Sequence, residues 1–282
     1  MLPPSGQGHP ISAIRCRLAQ GSGRRAFDVA MSIWGETVSP LANSPTRRTP
    51  TRSGCLVPVE ASPDTIIGMA TDDDVAKLLF PIGHCIGAYH DLPASNDHFT
   101  QVRVRADVNR LSDGQFAIWG LAHGTPDRPP EQPWNREAVL TAARRAGVDQ
   151  AEQVLESLID DGLLFETTPG TDFAVDFARR HRLIPLMLGL GNTAEEPWIY
   201  SVGMLGMPIV QLSAMAYDLY KWAHLDPNLW VACEGAAAAA VRVGIDDPLA
   251  TDPLQMLNAL LGTLHYMLSP NAVYLDSEGL AS

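Results

Sequence analysis

Near residue 69 the chain changes character, and that break constrains what it can fold into more than any other feature. Residues 1 to 68 hold seven Arg and four acidic residues, whereas residues 69 to 282 hold 13 Lys and Arg against 28 Asp and Glu. The first stretch is a mixture of Pro, Ser, Gly, Thr and Arg, as in SPLANSPTRRTPTRSG, with only short apolar runs. Such a composition buries too little apolar surface to offset the entropy of ordering, so a disordered tail is expected there. Met69 is followed by Ala-Thr-Asp-Asp-Asp and then by a sustained apolar pattern, which is also how a native start would look if residues 1 to 68 were an upstream extension. On either reading the folded part begins near Met69.

Hydrophobic residues make up 46% of the sequence, enough for one or two cores. No uncharged apolar run approaches the roughly 18 to 20 residues needed to cross a bilayer, and residues 1 to 30 lack the apolar centre of a secretory signal. A cytoplasmic protein is therefore expected. Cys16, Cys55, Cys85 and Cys233 lie far apart with no C-x-x-C pair, which points to reduced thiols and against a zinc knuckle.

From residue 78 the local patterns become readable. Leu78 to Ala88 is apolar, and QVRVRADV (Gln101 to Val108) alternates at period two, which predicts a half-buried strand. Ser112 precedes Gln115 by three residues, with Leu111 and Phe116 placed as a hydrophobic staple, so a capped helix from about Asp113 to His123 should follow. TPDRPPEQPW carries four prolines and must be a loop. Asn135 is placed to cap a second helix to about Arg145, with Trp134 stapled to Val139, and Asp149 a third ending near Asp161. After Phe165 a turn, ETTPGTD, leads into DFAVDFARRHRL, which reads as a helix capped by Thr171 or Asp172.

Strand, three capped helices and the exit LESLIDDGLLFE together resemble the winged helix-turn-helix superfamily over roughly residues 100 to 168. Leu111, Phe116, Trp119, Leu158, Gly162 and Leu163 are also similar to the winged-helix domains that recognise precursor peptides for modifying enzymes. That second resemblance implies a peptide strand added beside an edge strand and the third helix. Arg103, Arg105, Gln153, Glu156 and Asp160 would line its groove. The proline loop and the long C-terminal part depart from such small domains, and the same aromatic and leucine residues serve equally as core.

Charge separates the partners such a domain could take. A DNA-reading helix presents cations or neutral hydrogen-bonding groups to phosphates and base edges. The third helix instead carries Gln150, Glu152, Gln153, Glu156, Ser157 and Asp160 outward, and eight acids with no Lys or Arg lie between Arg145 and Arg179. Arg136, Arg144 and Arg145 of the second helix are the cations left for a nucleic-acid backbone.

The C-terminal half reads as a mainly helical unit with a β-hairpin. Leu183 to Leu190 is apolar around Pro185, and GLGN at 189 to 192 reads as a turn rather than a phosphate loop. WIYSVG and PIVQLS predict the hairpin. Ser213, Asp226-Pro227 and Asp252-Pro253 predict three helix starts, the last leading an amphipathic face of Leu254, Leu257, Leu261, Leu264 and Leu268. The expected class is α+β: a winged-helix-like domain over 69–170 followed by the helical unit over 171–282. Trp119 and Trp222 should both be buried.

For chemistry, His84, Cys85 and His90 in IGHCIGAYHD place a thiol and two imidazoles within seven residues. Neighbours on a strand face opposite ways, however, so His84 is poorly placed to activate Cys85. No Ser-His-Asp order, HExxH, Walker sequence or carboxylate pair stands out, and no cofactor or metal is expected. The leading expectation is a non-enzymatic protein- or peptide-interaction or regulatory protein, able to form a homodimer. A DNA-binding regulator using the second helix is the first alternative, and a small enzyme using Cys85 or His90 the second.

Overall fold

The computed structural model describes residues 77–90, 98–125 and 132–278. The expected tail over 1–68, Cys16 and Cys55 within it, and most of the proline loop lie outside these residues. The fold is mixed α+β, with eight α-helices and four small antiparallel sheets among the described residues.

The organising element is a two-stranded ribbon, β1 (Leu78–Pro81) paired with β5 (Leu164–Thr167), Leu78 opposite Thr167 and Pro81 opposite Leu164. Strand side chains alternate sides. Leu78, Phe80 and Ile82 accordingly enter one hydrophobic core, while Leu79 enters another. On β5, Leu164 belongs to the second core and Phe165 packs against the first. The ribbon is thus a wall shared by two interiors.

One interior is built by the elements between the two ribbon strands. β2 (His84–His90), β3 (His98–Val104) and β4 (Asp107–Leu111) form a meander. The alternating segment Gln101 to Val108 is therefore not one strand: the chain reverses at Arg105 and Ala106, with Arg105 in the left-handed region at φ 56°. The turn is held from outside, because the Arg105 amide donates to Asp276 Oδ1 at 2.8 Å. α1 (Asp113–Leu121) starts at the expected capping box, Ser112 and Gln115 bonding reciprocally. α2 (Arg136–Arg145) starts at Asn135, whose side chain accepts from the Ala138 amide. α3 (Ala151–Asp160) is capped differently: Gln150, at φ 52°, is the N-cap and makes no side-chain cap bond, so Asp149 does not fill that role. Trp119 is 1% exposed and donates its indole N–H to the Ile82 carbonyl at 3.0 Å.

The other interior gathers the C-terminal elements. α4 (Asp172–Arg180) follows Thr171 as expected and runs directly into β6 (His181–Pro185), which pairs with β10 (Val273–Ser277). β7 (Leu188–Gly191), β8 (Tyr200–Met204) and β9 (Met207–Leu212) form a second meander. GLGN is the end of β7 rather than a turn: Gly189 and Gly191 pair with β8 across a bulge, and the Gly191 amide donates to the Tyr217 hydroxyl at 3.1 Å. The expected hairpin is β8 and β9, reversing at Leu205-Gly206.

α5 (Ala214–Trp222) is capped by Ser213 as expected. α6 (Leu229–Arg242) is capped by Asn228, two residues beyond the expected Asp226. After a short α7 (Pro248–Thr251), α8 (Pro253–Leu268) is capped by Asp252. Leu257, Leu261, Leu264 and Leu268 are wholly buried, whereas Leu254 at the first turn is 37% exposed. The two interiors are also tied by polar contacts from β10 to the first meander: Gly83 N–H to Leu275 O at 2.7 Å and Arg103 Nη2 to the Tyr274 hydroxyl at 3.1 Å.

Candidate functional site

A groove of about 750 Å³ is enclosed by α5, α6, α7 and the turn between α6 and α7. Its floor follows from the sequence of α6, LWVACEGAAAAAVR. Leu229, Cys233 and Ala237, spaced by four, are buried in the core. Ala232, Ala236, Ala239 and Ala240 occupy the neighbouring stripe with Gly235 and face the groove. A helix faced with such short side chains leaves an open channel, and a Cβ added at Gly235 would meet no atom within 4 Å.

The rim is apolar and uncovered. Trp222 is 60% exposed and Val243 75%, with Leu249 and Ile245 also exposed beside them. The expectation that Trp222 is buried is therefore wrong. It ends α5, where the helix gives way to a 3-10 turn (Ala223–Leu225), and the inward positions there belong to Leu219, Tyr220 and Ala223. Large apolar side chains exposed side by side around a concavity differ from the scattered ones every surface carries.

Asp218, Asp226 and Asp247 line the same groove, with no Lys or Arg among the described lining residues. Asp218 meets Lys221 Nζ at 2.8 Å, outside the groove. Asp247 accepts the Leu249 amide at 3.0 Å through Oδ1. For this segment the sequence predicts only a helix starting at Asp226-Pro227. The overlooked signal was surplus: α6 already has a buried face, yet its other positions and Val243, Ile245 and Leu249 beyond it stay apolar.

The residues singled out from sequence fall at several places. Arg103 and Arg105 are drawn to β10 through Tyr274 and Asp276. Gln153, Glu156 and Asp160 lie on the exposed face of α3. Glu156 is engaged by Arg136, and no hydrogen bond or ion pair among the described residues joins these α3 side chains to the two arginines. Arg136 also holds Glu166 in a bidentate pair, Nε to Oε1 at 3.0 Å and Nη2 to Oε2 at 2.9 Å. The Glu166 hydrogen bonds raise its pKa further. Its fork is occupied by carboxylates, while Arg144 and Arg145 are exposed.

On β2, His84 packs its ring 5.0 Å from Tyr274, and Cys85 packs against the core on the Val102 side. Burial pushes the Cys85 thiol up, which works against a thiolate, and burial with Arg103 nearby pushes the His84 imidazole down. His90 lies at the exposed end of the strand, its ring 5.7 Å from that of His98, which pairs with Asp113 at 2.7 Å. Cys233, on the buried face of α6, is pushed up to about 12 by burial. Among the described residues no group of three or more His, Cys, Asp or Glu is placed to hold a metal ion, and no helix is long and apolar enough to cross a membrane.

No protein-family model matches the chain, and neither the curated proteins nor the solved structures contain a match to it.

Proposed function

We propose that this chain is a non-enzymatic protein-interaction protein that seats an apolar segment of a partner in the α5–α6–α7 groove, with an acidic winged-helix-like domain as its first unit. The observation that carries the reading is the groove itself: about 750 Å³, floored by Ala and Gly, with Trp222, Val243 and Leu249 exposed around it. A small apolar molecule would fill such a volume but leave the rim in water, whereas a polypeptide segment covers floor and rim together. The first unit supports the same class of role. Its α3 face is acidic, and the cation at the head of α2 is held by Glu156 and Glu166, which weighs against phosphate neutralisation as the source of affinity.

The test is a displayed-peptide selection against the full chain, counter-screened on Gly235→Trp, whose side chain has room to enter the groove. Selected peptides should bind the parent chain and lose affinity for the variant. Peptides that bind both equally would overturn the groove as the partner site.

A further inference from the structure

Resting on the reading of the groove as a partner site, we infer that its occupant is an amphipathic helix whose apolar face is flanked by Arg or Lys. Three observations converge on that chemistry. The floor is made of side chains no longer than methyl along about two turns of α6, from Ala232 to Ala240. Short side chains on one helix let a second helix approach closely, so the large apolar groups must come from the partner. The apolar rim residues Trp222, Val243 and Leu249 come from α5, the turn after α6, and α7, and so flank that floor on more than one side. A helix laid along the floor would meet them with its i, i+3, i+4 and i+7 positions.

Charge fixes the sign of the flanking residues. Asp218, Asp226 and Asp247 are the charged lining residues. Asp226 has the least committed carboxylate, since Asp218 already meets Lys221 and Asp247 already caps α7. A second copy of the chain docking through the same groove would bring aspartates against aspartates. Residues 69 to 282 carry a strong acidic excess, so a cationic partner also gains from long-range attraction.

The experiment is a fluorescence-anisotropy titration of the full chain with two labelled synthetic peptides of about 18 residues, both with Leu at i, i+3, i+4 and i+7. One carries Arg at the flanking positions and the other Glu at the same positions. The Arg peptide should bind at least about tenfold tighter than its Glu isomer, with the difference shrinking as salt rises. Gly235→Trp should weaken the Arg peptide by about tenfold or more. Asp226→Asn, which leaves the floor intact, should weaken it about two- to fivefold and remove part of its salt dependence. Circular dichroism of both variants checks that they remain folded.

Equal binding of both peptides, still lost in Gly235→Trp, would overturn the cationic helix and leave the groove as a partner site. Binding of neither peptide would overturn the inference, and failure of the peptide selection as well would remove the groove reading with it. Binding of the Arg peptide that is indifferent to both variants would place it elsewhere on the acidic surface and overturn the inference.

Discussion

His265 Nε2, on α8, lies 3.0 Å from the backbone carbonyl of Leu79, on β1, with its ring stacked on Phe80 at 4.6 Å between centroids. A carbonyl only accepts, so this contact requires a hydrogen on Nε2. The histidine is 2% exposed and joins the core that holds α8 to the strand whose Leu79 faces the other core. His265→Phe would keep the stacking and leave the Leu79 carbonyl without that donor. The expected cost is about 1–3 kcal/mol, and urea denaturation should show it as a lower midpoint with unchanged slope.

Two other histidines make stability depend on pH. Burial lowers His123 and His181 to about 4, each with Nδ1 near the carbonyl of the residue four before it, Trp119 at 3.0 Å and Phe177 at 2.8 Å. Both rings are neutral in the fold and have an ordinary value of about 6.5 when unfolded. Their contribution is fully present above about pH 6.5 and is lost as pH falls towards 4, at up to about 1.4 kcal/mol per pH unit for each ring. Chemical denaturation at several pH values should show the decline. His181→Phe should reduce its steepness above the carboxylate range, and an unchanged slope would clear His181 of any part in it.

Two glycines should respond in opposite directions. Gly83 sits at φ 97°, and a Cβ there would come within 2.7 Å of the Arg103 carbonyl, which is backbone and cannot rotate away. Gly83→Ala should destabilise by about 1–3 kcal/mol or more. Gly235 is helical and open, so Gly235→Ala should stabilise by about 0.5–1 kcal/mol. Thermal unfolding of the two variants beside the parent decides both.

The two tryptophans separate in the same way. Trp119→Ala should cost about 3–5 kcal/mol, since it empties a core position and removes the donor to the Ile82 carbonyl. Trp222→Ala should change stability by less than about 0.5 kcal/mol. If Trp222 lies on the partner-binding rim, the same change should weaken partner binding. A large loss of stability from Trp222→Ala would argue instead that the ring packs on this chain's own core.

Gel shifts against genomic fragments across a salt series address nucleic acid directly. Weak, non-specific shifts that vanish by physiological salt are expected; a tight, sequence-specific shift would favour the regulator reading through Arg144 and Arg145.

Local chemistry made much of the fold readable. Ser112, Asn135, Ser213 and Asp252 each cap the helix expected of them, because a side chain accepting an amide two or three residues on is a short-range event. The misreadings lie where distant residues decide. Arg105 turns the chain in the middle of an alternating run, with its amide held by Asp276. GLGN continues as strand because β8 and Tyr217 take its backbone groups. Asp149 and Asp226 had the chemistry of caps, but the helices begin after Gln150 and Asn228. The groove escaped notice because periodicity marks a helix as amphipathic without telling which apolar face finds a neighbour in the chain.

The shared ribbon also bears on how the molecule comes apart and together. A one-residue slip of β1 against β5 would send Leu79 towards Phe177 and Leu257 and Phe80 towards Trp119 and Leu155, so both interiors penalise the same error. The strands that form it bracket the entire first unit, so the pairing closes a long loop and should complete late in folding. Melting either interior strips one side of that ribbon, and the two should therefore unfold in a single transition rather than in sequence.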